Sequence, residues 1–597
     1  MKKTLLLAFL FAFQLSLVAQ QNFFPPKTPV HAVTDTMHGV LITDEYRWLE
    51  NKNDPATISW TRAQHDYGNG YLEATQKKHA GLREGIAAYI DRDYESPLEK
   101  QGKRIFQTIK RKGEKQSKLY TLLDGKKIMI WDPVQLDSTG NTSTSGVSYT
   151  YDGDRAAISV QKSGAEITTT YIIDTRTGKI LHPPLENTFG FQWTRDQQHA
   201  YITIRSKDDI AKQLPLKTYH IKIGDPLEKA TLAGTTTDAQ NSFYIYDNRY
   251  SDVSFSGESD FYANNCYMRK TGSSEKGQLI YESKKSAAYP EAIGEKLYIF
   301  TNDNAPNYRL LVADKKNPEY KNWKQLIPEG KTVLQSYVVT KKNIIIQDKL
   351  DIQSRLTLYD LNGKRIKQIE LPETGNVGSL SYDREEDSVY ISLNTFTSET
   401  KIFIASPSNF KWRLYYQRQL GVDMSNITGE IKFYNSKDNT RVPVFVIHRK
   451  DMKLDGNNPV LLTAYGGFNA GIQPNYYGFY STFLNAGGIV VEAGIRGGDE
   501  YGEKWHQDGM LANKQNCFDD FNSCAEWLIR EKYTNPSKIV AEGGSNGGLL
   551  MGAVATQRPD LYKAIVCMVP LLDMLRYEKF LIARYWIPEY GSAENEA

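Results

Sequence analysis

Hydrophobic and polar positions follow three successive patterns along the chain. From about Phe23 to Glu84, Pro-rich extended pieces alternate with helical ones, Tyr46-Arg47-Trp48-Leu49-Glu50 among them. From about Glu95 to Leu420 a period of two takes over, in short runs such as Leu119–Leu123, Tyr171–Asp174, Ala200–Arg205, Lys296–Phe300, Leu356–Leu361 and Ser388–Leu393. Such runs predict half-buried strands. Many end in turn sequences (Asp124-Gly125, Asp174-Thr-Arg-Thr-Gly178, Asp360-Leu-Asn-Gly363) where Gly or Asn supplies the positive φ of a tight hairpin. Roughly 330 residues at ~40–50 per four-stranded blade would make about seven blades of a β-propeller, and a large β-sandwich array fits the same alternation. From about Val422, apolar runs at Pro459–Ala464, Ile489–Glu492, Ile539–Ala541 and Ala564–Val569 are separated by helix-like stretches at Phe518–Lys532 and Leu549–Thr556. Strands buried on both faces and spaced by helices predict a parallel α/β sheet.

Composition narrows the class. The 597 residues exceed what one core serves, so two or more domains are expected. A 40% hydrophobic fraction with 44 glycines is ordinary for a globular chain, and 73 Lys+Arg against 70 Asp+Glu leave +3. That balance excludes a disordered chain and gives no electrostatic reason to expect nucleic acid. The aromatic content of 12%, led by 38 Tyr, suits a strand-rich chain.

Met1-Lys2-Lys3 followed by an apolar run from Leu5 to Ala19 reads as a secretory signal peptide over residues 1–19, with an uncleaved anchor as the alternative. The run is shorter than the ~20 residues of a spanning helix, and no other segment is apolar enough to cross a bilayer. The expectation is an exported protein, periplasmic or secreted. The four cysteines do not form a disulfide framework. Cys517 and Cys524 share one helical pattern and would stand about 10.5 Å apart along its axis, beyond the ~7 Å a disulfide tolerates. Four buried thiols are expected. No CxxC, HExxH or His/Cys cluster suggests a metal, and no cofactor is expected.

The chemistry lies in the last quarter. Between the strand-like Lys538–Glu542 and the helix-like stretch from Leu549 stands Gly543-Gly544-Ser545-Asn546-Gly547-Gly548, a GxSxG in strand–turn–helix context. This is the grammar of a nucleophile elbow, in which a strained turn lifts the serine hydroxyl above the sheet edge and glycines let strand and helix approach. Ser545 is therefore the candidate nucleophile. An acyl-transfer serine also needs oxyanion donors: the N–H of Asn546 is one, and the loop Ala464-Tyr465-Gly466-Gly467-Phe468 offers the Tyr465 phenol as a second. A tyrosine that merely packs a glycine turn is the plain alternative.

Tyr465-Gly-Gly-Phe468, Ile495-Arg-Gly-Gly498, Glu500-Tyr-Gly-Glu-Lys-Trp505-His506, Ala512-Asn-Lys-Gln-Asn-Cys517-Phe-Asp-Asp520-Phe521, Gly543–Gly548 and Trp586-Ile-Pro-Glu-Tyr590-Gly591 together resemble the prolyl oligopeptidase family of serine peptidases. The match is dense over about 430–591. Tyr46–Glu50 resembles that family's N-terminal strap, and the β-rich middle its seven-bladed propeller. The resemblance implies a strap over residues 20–84 packed on the catalytic domain, a propeller over 85–421, and an α/β hydrolase domain over 422–597. It implies Ser545 as nucleophile, the Tyr465 hydroxyl and Asn546 N–H as oxyanion hole, and Trp586 stacked on the proline ring. Phe468 and Tyr590 would line the pocket, and the Asn546 side chain would hold substrate backbone. An aromatic slot suits a flat, apolar ring that lacks an N–H. Asn after the serine, with Trp586, favours the prolyl branch over the basic-residue branch. The implied activity is cleavage of short proline-containing oligopeptides after proline by acyl-enzyme chemistry, with the propeller screening out large substrates. A monomer is expected, without membrane contact after signal cleavage.

One departure stands out. The triad of this fold runs Ser, Asp, His in chain order, yet all nine histidines (His31, His38, His65, His79, His182, His199, His220, His448, His506) precede Ser545. Only Asp560 and Asp573 follow it among aspartates. The chain stops at Ala597, on the order of a hundred residues before a family member would, which removes both acid and base and uncovers one face of the sheet. A fragment of an exported peptidase is the leading expectation. A short, non-catalytic peptide-binding module is the second, and His506 serving as a substitute base is the third; a packing or surface role is the plain reading of His506.

Overall fold

The alternation that predicts strands is what the computed structural model contains. It describes residues 24–595 apart from 78, 80, 274, 419 and 420, and the signal-peptide reading falls outside them. None of the described helices is long and apolar enough to cross a membrane.

The chain divides into two units, one of residues up to 87 with 594–597, the other of 88–593. In the first, the hairpin Val33–Met37/Val40–Asp44 precedes the helix Pro55–Gln76. Asp54 starts that helix by accepting the Ala56 N–H at 2.8 Å, and Pro55 occupies the first position, where a missing N–H costs nothing. The Trp60 indole donates to Thr28 Oγ1 at 3.0 Å, fastening the Pro-rich stretch to the helix.

In the second unit, strands from Tyr94 to Gln417 form antiparallel sheets, five of them with four or five strands and one with seven. Each predicted run falls on one of these strands, with Arg205 and Leu361 lying one residue past the ends of theirs. In Ser388–Asn394, Val389, Ile391 and Leu393 are fully buried while the residues between them are half-buried, the period of two made physical. Asp124 and Gly125 both take positive φ (49° and 74°), as their hairpin requires. The count of seven blades is not matched sheet for sheet. The long strand Ile180–Trp193 pairs through its first half with Thr168–Asp174 and through its second with His199–Ile204, fusing two groups of strands into the seven-stranded sheet. The first and last sheets meet without sharing a strand. Tyr415 and Tyr416 hydroxyls donate to the carbonyls of Leu98 and Glu95, and Lys100 pairs with Glu386.

The C-terminal sheet has the order Ile427–Asn435, Arg441–Arg449, Ile489–Ala493, Val460–Thr463, Ile539–Gly544, Ala564–Met568. Its last four strands are parallel, but the first two join antiparallel, so the sheet is mixed rather than parallel throughout. The turn closed by Ser436 N–H on the Thr440 carbonyl is too short for a crossover and forces that reversal. Helices Gln515–Arg530 and Asn546–Gln557 cover the sheet, burying Phe521, Leu528, Met551 and Val554 against Leu462, Val491 and Ala541.

Two expectations need correction. The edge strand Ala564–Met568 is largely exposed, with Val566 and Met568 open to solvent, because only Ile539–Gly544 flanks it. For the same reason Cys567 is exposed; Cys266, Cys517 and Cys524 are buried, and all four thiols are free.

A buried ion pair ties this sheet to its helix. Asp520, fully buried, receives Arg496 through Nε at 3.0 Å and Nη2 at 2.6 Å, the Arg496 N–H at 3.0 Å, and the Ser436 hydroxyl. Removing one partner leaves an uncompensated buried charge, which costs about 3–5 kcal/mol. Asp520→Ala is therefore expected to lower the stability of the C-terminal domain by that amount, read from the urea midpoint of its tryptophan fluorescence. A loss under about 1 kcal/mol would show that the pair carries no such load.

Candidate active site

Ser545 stands where the strand Ile539–Gly544 ends and the helix Asn546–Gln557 begins. Its backbone sits at φ 57°, ψ −119°, a region that costs a side-chain-bearing residue about 1–3 kcal/mol. The surroundings hold it there. Ser545 N–H donates to the Met568 carbonyl at 3.0 Å, and its carbonyl accepts the N–H groups of Gly548 and Leu549 at 2.9 and 3.1 Å. The turn closes this tightly only because of its glycines. A β-carbon on Gly543 would lie 2.3 Å from the Gly547 oxygen, and one on Gly548 2.7 Å from that of Met568. Ser545 is left exposed, and its hydroxyl makes no hydrogen bond among the described residues.

Asn546 opens the helix, so its N–H lacks an intrahelical acceptor and points the positive end of the peptide dipoles toward the turn. Its side chain is buried and already engaged: Nδ2 donates to the Tyr465 carbonyl at 2.6 Å, and Oδ1 accepts the Tyr590 hydroxyl at 2.8 Å. One amide hydrogen remains for a substrate. Tyr465 is half-buried beside the elbow, its hydroxyl without a partner among the described residues.

The aromatic residues assemble around the same point. Tyr590 stands edge-to-face with Phe468 (centroids 5.5 Å, 86°) and Tyr577 (5.4 Å, 86°). Burial pushes the Tyr590 phenol up, so it stays protonated as the donor to Asn546. Phe468, held at φ 58°, also meets Phe261 of the β-rich region at 5.2 Å. Trp586 ends the short turn Ala583–Trp586, is half-buried, and its ring pairs with no other aromatic ring among the described residues.

Beneath this pocket lies a charged cluster that sequence reasoning missed. Glu589, in the turn Ile587–Tyr590 with Tyr590, is fully buried. It is bonded by His506 Nε2 at 2.9 Å, by Lys514 Nζ at 3.0 Å and by the Tyr262 phenol, which reaches in from the β-rich region. His506 Nδ1 meets Glu503 at 2.9 Å, and Lys514 also donates to the Gly466 carbonyl at 2.8 Å. His506 is thus neither a surface residue nor a free base, since both ring nitrogens are committed to carboxylates. Burial alone would push its imidazole down, but Glu503 and Glu589 override that and hold it at about 9. A charged residue inside the apolar run Trp586–Tyr590 was the available signal for Glu589; Phe261 and Tyr262 carried none. Asp560 pairs with Arg558 and Asp573 with Arg576, next to them in the chain.

Comparison with known proteins gives two family matches. Residues 25–418 match the model described as "Prolyl oligopeptidase, N-terminal beta-propeller domain", and 475–597 match "Prolyl oligopeptidase family". A prolyl endopeptidase of Elizabethkingia meningoseptica is 29% identical over 98% of this chain and 84% of its own length. One of Dictyostelium discoideum is 36% identical over 55% of this chain and 42% of its own. A structure from a study of two prolyl endopeptidases superposes with TM-score 0.90 at 32% identity, over 96% of this chain and 86% of the other. Prolyl oligopeptidase B of Galerina marginata shares the fold at TM-score 0.86 and 23% identity, over 96% and 86%.

The raised pKa of His506 has a consequence for stability. A group at about 9 when folded and 6.5 otherwise contributes in full below pH 6.5 and loses that contribution as pH rises through 9. The melting temperature is expected to fall across that window in the wild type and to lose this slope in His506→Gln. An identical slope in the variant would show that the cluster does not hold the proton.

Proposed function

The chain belongs to the prolyl oligopeptidase family of serine peptidases, and on that premise we propose that its site is built to bind short peptides at a proline and to acylate Ser545 with the residue preceding the cut. The observation that carries this reading is the link from Tyr590 through Asn546 to Tyr465, which places an aromatic pocket against an exposed serine on a strained turn. In the proposed reaction Ser545 Oγ attacks the proline carbonyl. The Tyr465 hydroxyl and Asn546 N–H receive the charge that develops on its oxygen, while Trp586 stacks on the pyrrolidine ring with Phe468 and Tyr590 around it.

The hydroxyl of Ser545 needs a base to take its proton. Positions after it hold Asp560 and Asp573 but no histidine, and His506 is committed elsewhere. We therefore propose that these 597 residues bind proline peptides yet turn them over at no more than the ~10³–10⁴-fold over water that binding and an oxyanion hole supply. The Ser545 hydroxyl, without a hydrogen bond among the described residues, also favours a second reading, a peptide-binding module without catalysis. We further read the seven-stranded sheet as two blades sharing Ile180–Trp193, which brings the propeller over 85–421 to seven, and the N-terminal segment as an export signal.

The 597-residue chain is expected to release no chromophore from a Gly-Pro substrate above background. It should bind acetyl-Gly-Pro amide, with about tenfold loss in Trp586→Ala, the scale of one aromatic stack. Turnover within tenfold of the Elizabethkingia enzyme would refute the missing base; unchanged binding in Trp586→Ala would refute the proline slot. Sequencing beyond the Ala597 codon separates the readings: an open frame running into Asp and His supports the peptidase, an immediate stop the binding module.

A further inference from the structure

Two buried arginines face each other across the seam between the β-rich region and the catalytic domain without a carboxylate between them. Arg205, just after the strand His199–Ile204, is 1% exposed, and its Nε, Nη1 and Nη2 all lack a hydrogen-bond partner. Arg584 is 2% exposed; it donates Nη2 to the Leu214 carbonyl at 3.0 Å and leaves Nε and Nη1 unsatisfied. Both lie against one ring, that of Tyr585, at 5.0 and 5.3 Å from its centroid, and the buried Tyr585 hydroxyl is unpartnered as well.

The carboxylates nearby bond neither arginine; Glu166, whose charge reaches Arg205, is exposed and makes no hydrogen bond to it. Asp209 accepts the hydroxyl and N–H of Ser206, at 2.7 and 2.8 Å. Glu578, whose carbonyl takes the Gln213 amide in the same seam, receives the Ser592 hydroxyl on Oε1 and meets neither arginine with Oε2. Burial pushes the Arg205 guanidinium down, and the Arg584 charge adds to that. Stacking on Tyr585 recovers part of the lost hydration, but guanidinium N–H groups sealed from water without acceptors remain costly. Six donor groups without acceptors, gathered on and around the Tyr585 ring, offer what an anion would accept.

We propose that Arg205, Arg584 and the Tyr585 hydroxyl form a carboxylate-binding subsite that takes an acidic side chain from the peptide segment preceding the proline. Guanidinium forks match the planar carboxylate two-to-two. Arg584 and Tyr585 immediately precede Trp586 in one short turn, which sets the spacing between anion and indole at the reach of a few peptide residues; the assignment rests on the proline-binding reading. Because one arginine comes from each side of the seam, such a peptide also neutralises two like charges that otherwise repel across it.

The test titrates the 597-residue chain by calorimetry with acetyl-Glu-Ala-Pro amide and acetyl-Gln-Ala-Pro amide, and with the Glu or Gln moved one position either way. Glu at one position is expected to bind at least about tenfold tighter than Gln, less so at high salt. The gap should close in Arg205→Gln and in Arg584→Gln. Equal affinities at every position, or a gap that survives both substitutions, overturn the subsite. If no proline peptide binds at all, the proline reading has failed, and the arginines are judged by melting temperature. Succinate should raise it by about 2 °C or more over sodium chloride of equal ionic strength, and do nothing for Arg205→Met; equal melting in both salts overturns the subsite. Arg205→Met removes an unpaired buried charge and is expected to fold with unchanged or higher stability in the absence of succinate, so its lost response is not unfolding.

Discussion

A carboxylate with no exposed surface, that of Glu589, is the constraint on which the rest of the site depends. An isolated buried charge of this kind is not tolerated, and the structure meets it with an imidazolium and an ammonium from the segment His506–Lys514 and a phenol from the β-rich region. The consequence is positional. Glu589 lies between Trp586 and Tyr590 in one short turn, so fixing its carboxylate fixes where the indole and the phenol of the pocket stand. Lys514 extends the same restraint to the Gly466 carbonyl, at the root of the loop carrying Tyr465 and Phe468. Tyr262 brings the propeller into contact with the same charge, so one electrostatic centre joins the Trp586–Tyr590 segment, the Tyr465–Phe468 loop and the neighbouring domain.

The elbow at Ser545 is a different kind of device. Its strain is local and is held by close backbone approach, with glycines where a methyl group would collide with a carbonyl oxygen. The two devices meet at Asn546. Its N–H belongs to the elbow, whereas its side chain is strung between Tyr465 and Tyr590, each placed by the charged cluster. Ser545, the Asn546 amide, Tyr465 and the aromatic cluster are therefore set relative to one another without a hydrogen bond from the Ser545 hydroxyl among the described residues. A site so organised can bind before it can react, because positioning and proton transfer rest on separate groups.

The seam between the domains carries charges of both signs in unequal states of satisfaction. At the Glu589 end every group is paired; at the Arg205–Arg584 end the cations have only the rings of Tyr585 and Phe189 and one carbonyl. The two ends are joined by the segment running from Glu578 to Tyr590. That contrast is chemically informative, since a protein interior seldom leaves guanidinium groups without acceptors.

What could be read from the chain was local. Six consecutive residues, Gly543–Gly548, encode the elbow because strain and close approach are decided within one turn. Alternation in Ser388–Asn394 and the Asp124-Gly125 turn were legible for the same reason, period and φ being properties of neighbours. The hairpin Ile427–Asn435/Arg441–Arg449 went unread because Pro443 interrupts an otherwise apolar run, and the exposure of Cys567 because a strand's sequence does not say how many neighbours it has. The meeting of Tyr262, His506, Lys514 and Glu589, like that of Arg205 and Arg584, lay beyond reach altogether. His506, Lys514 and Tyr262 stand 83, 75 and 327 residues from Glu589, and a Coulomb interaction at that distance along the chain leaves no period behind. Sequence by itself therefore determined the change from a strand-rich region to an α/β sheet and the tight glycine turn that carries Ser545, because short-range sterics decide both. Only the tertiary structure decided which charges are neutralised and which are left waiting for a partner, because burial removes the solvent that would otherwise have made the difference immaterial.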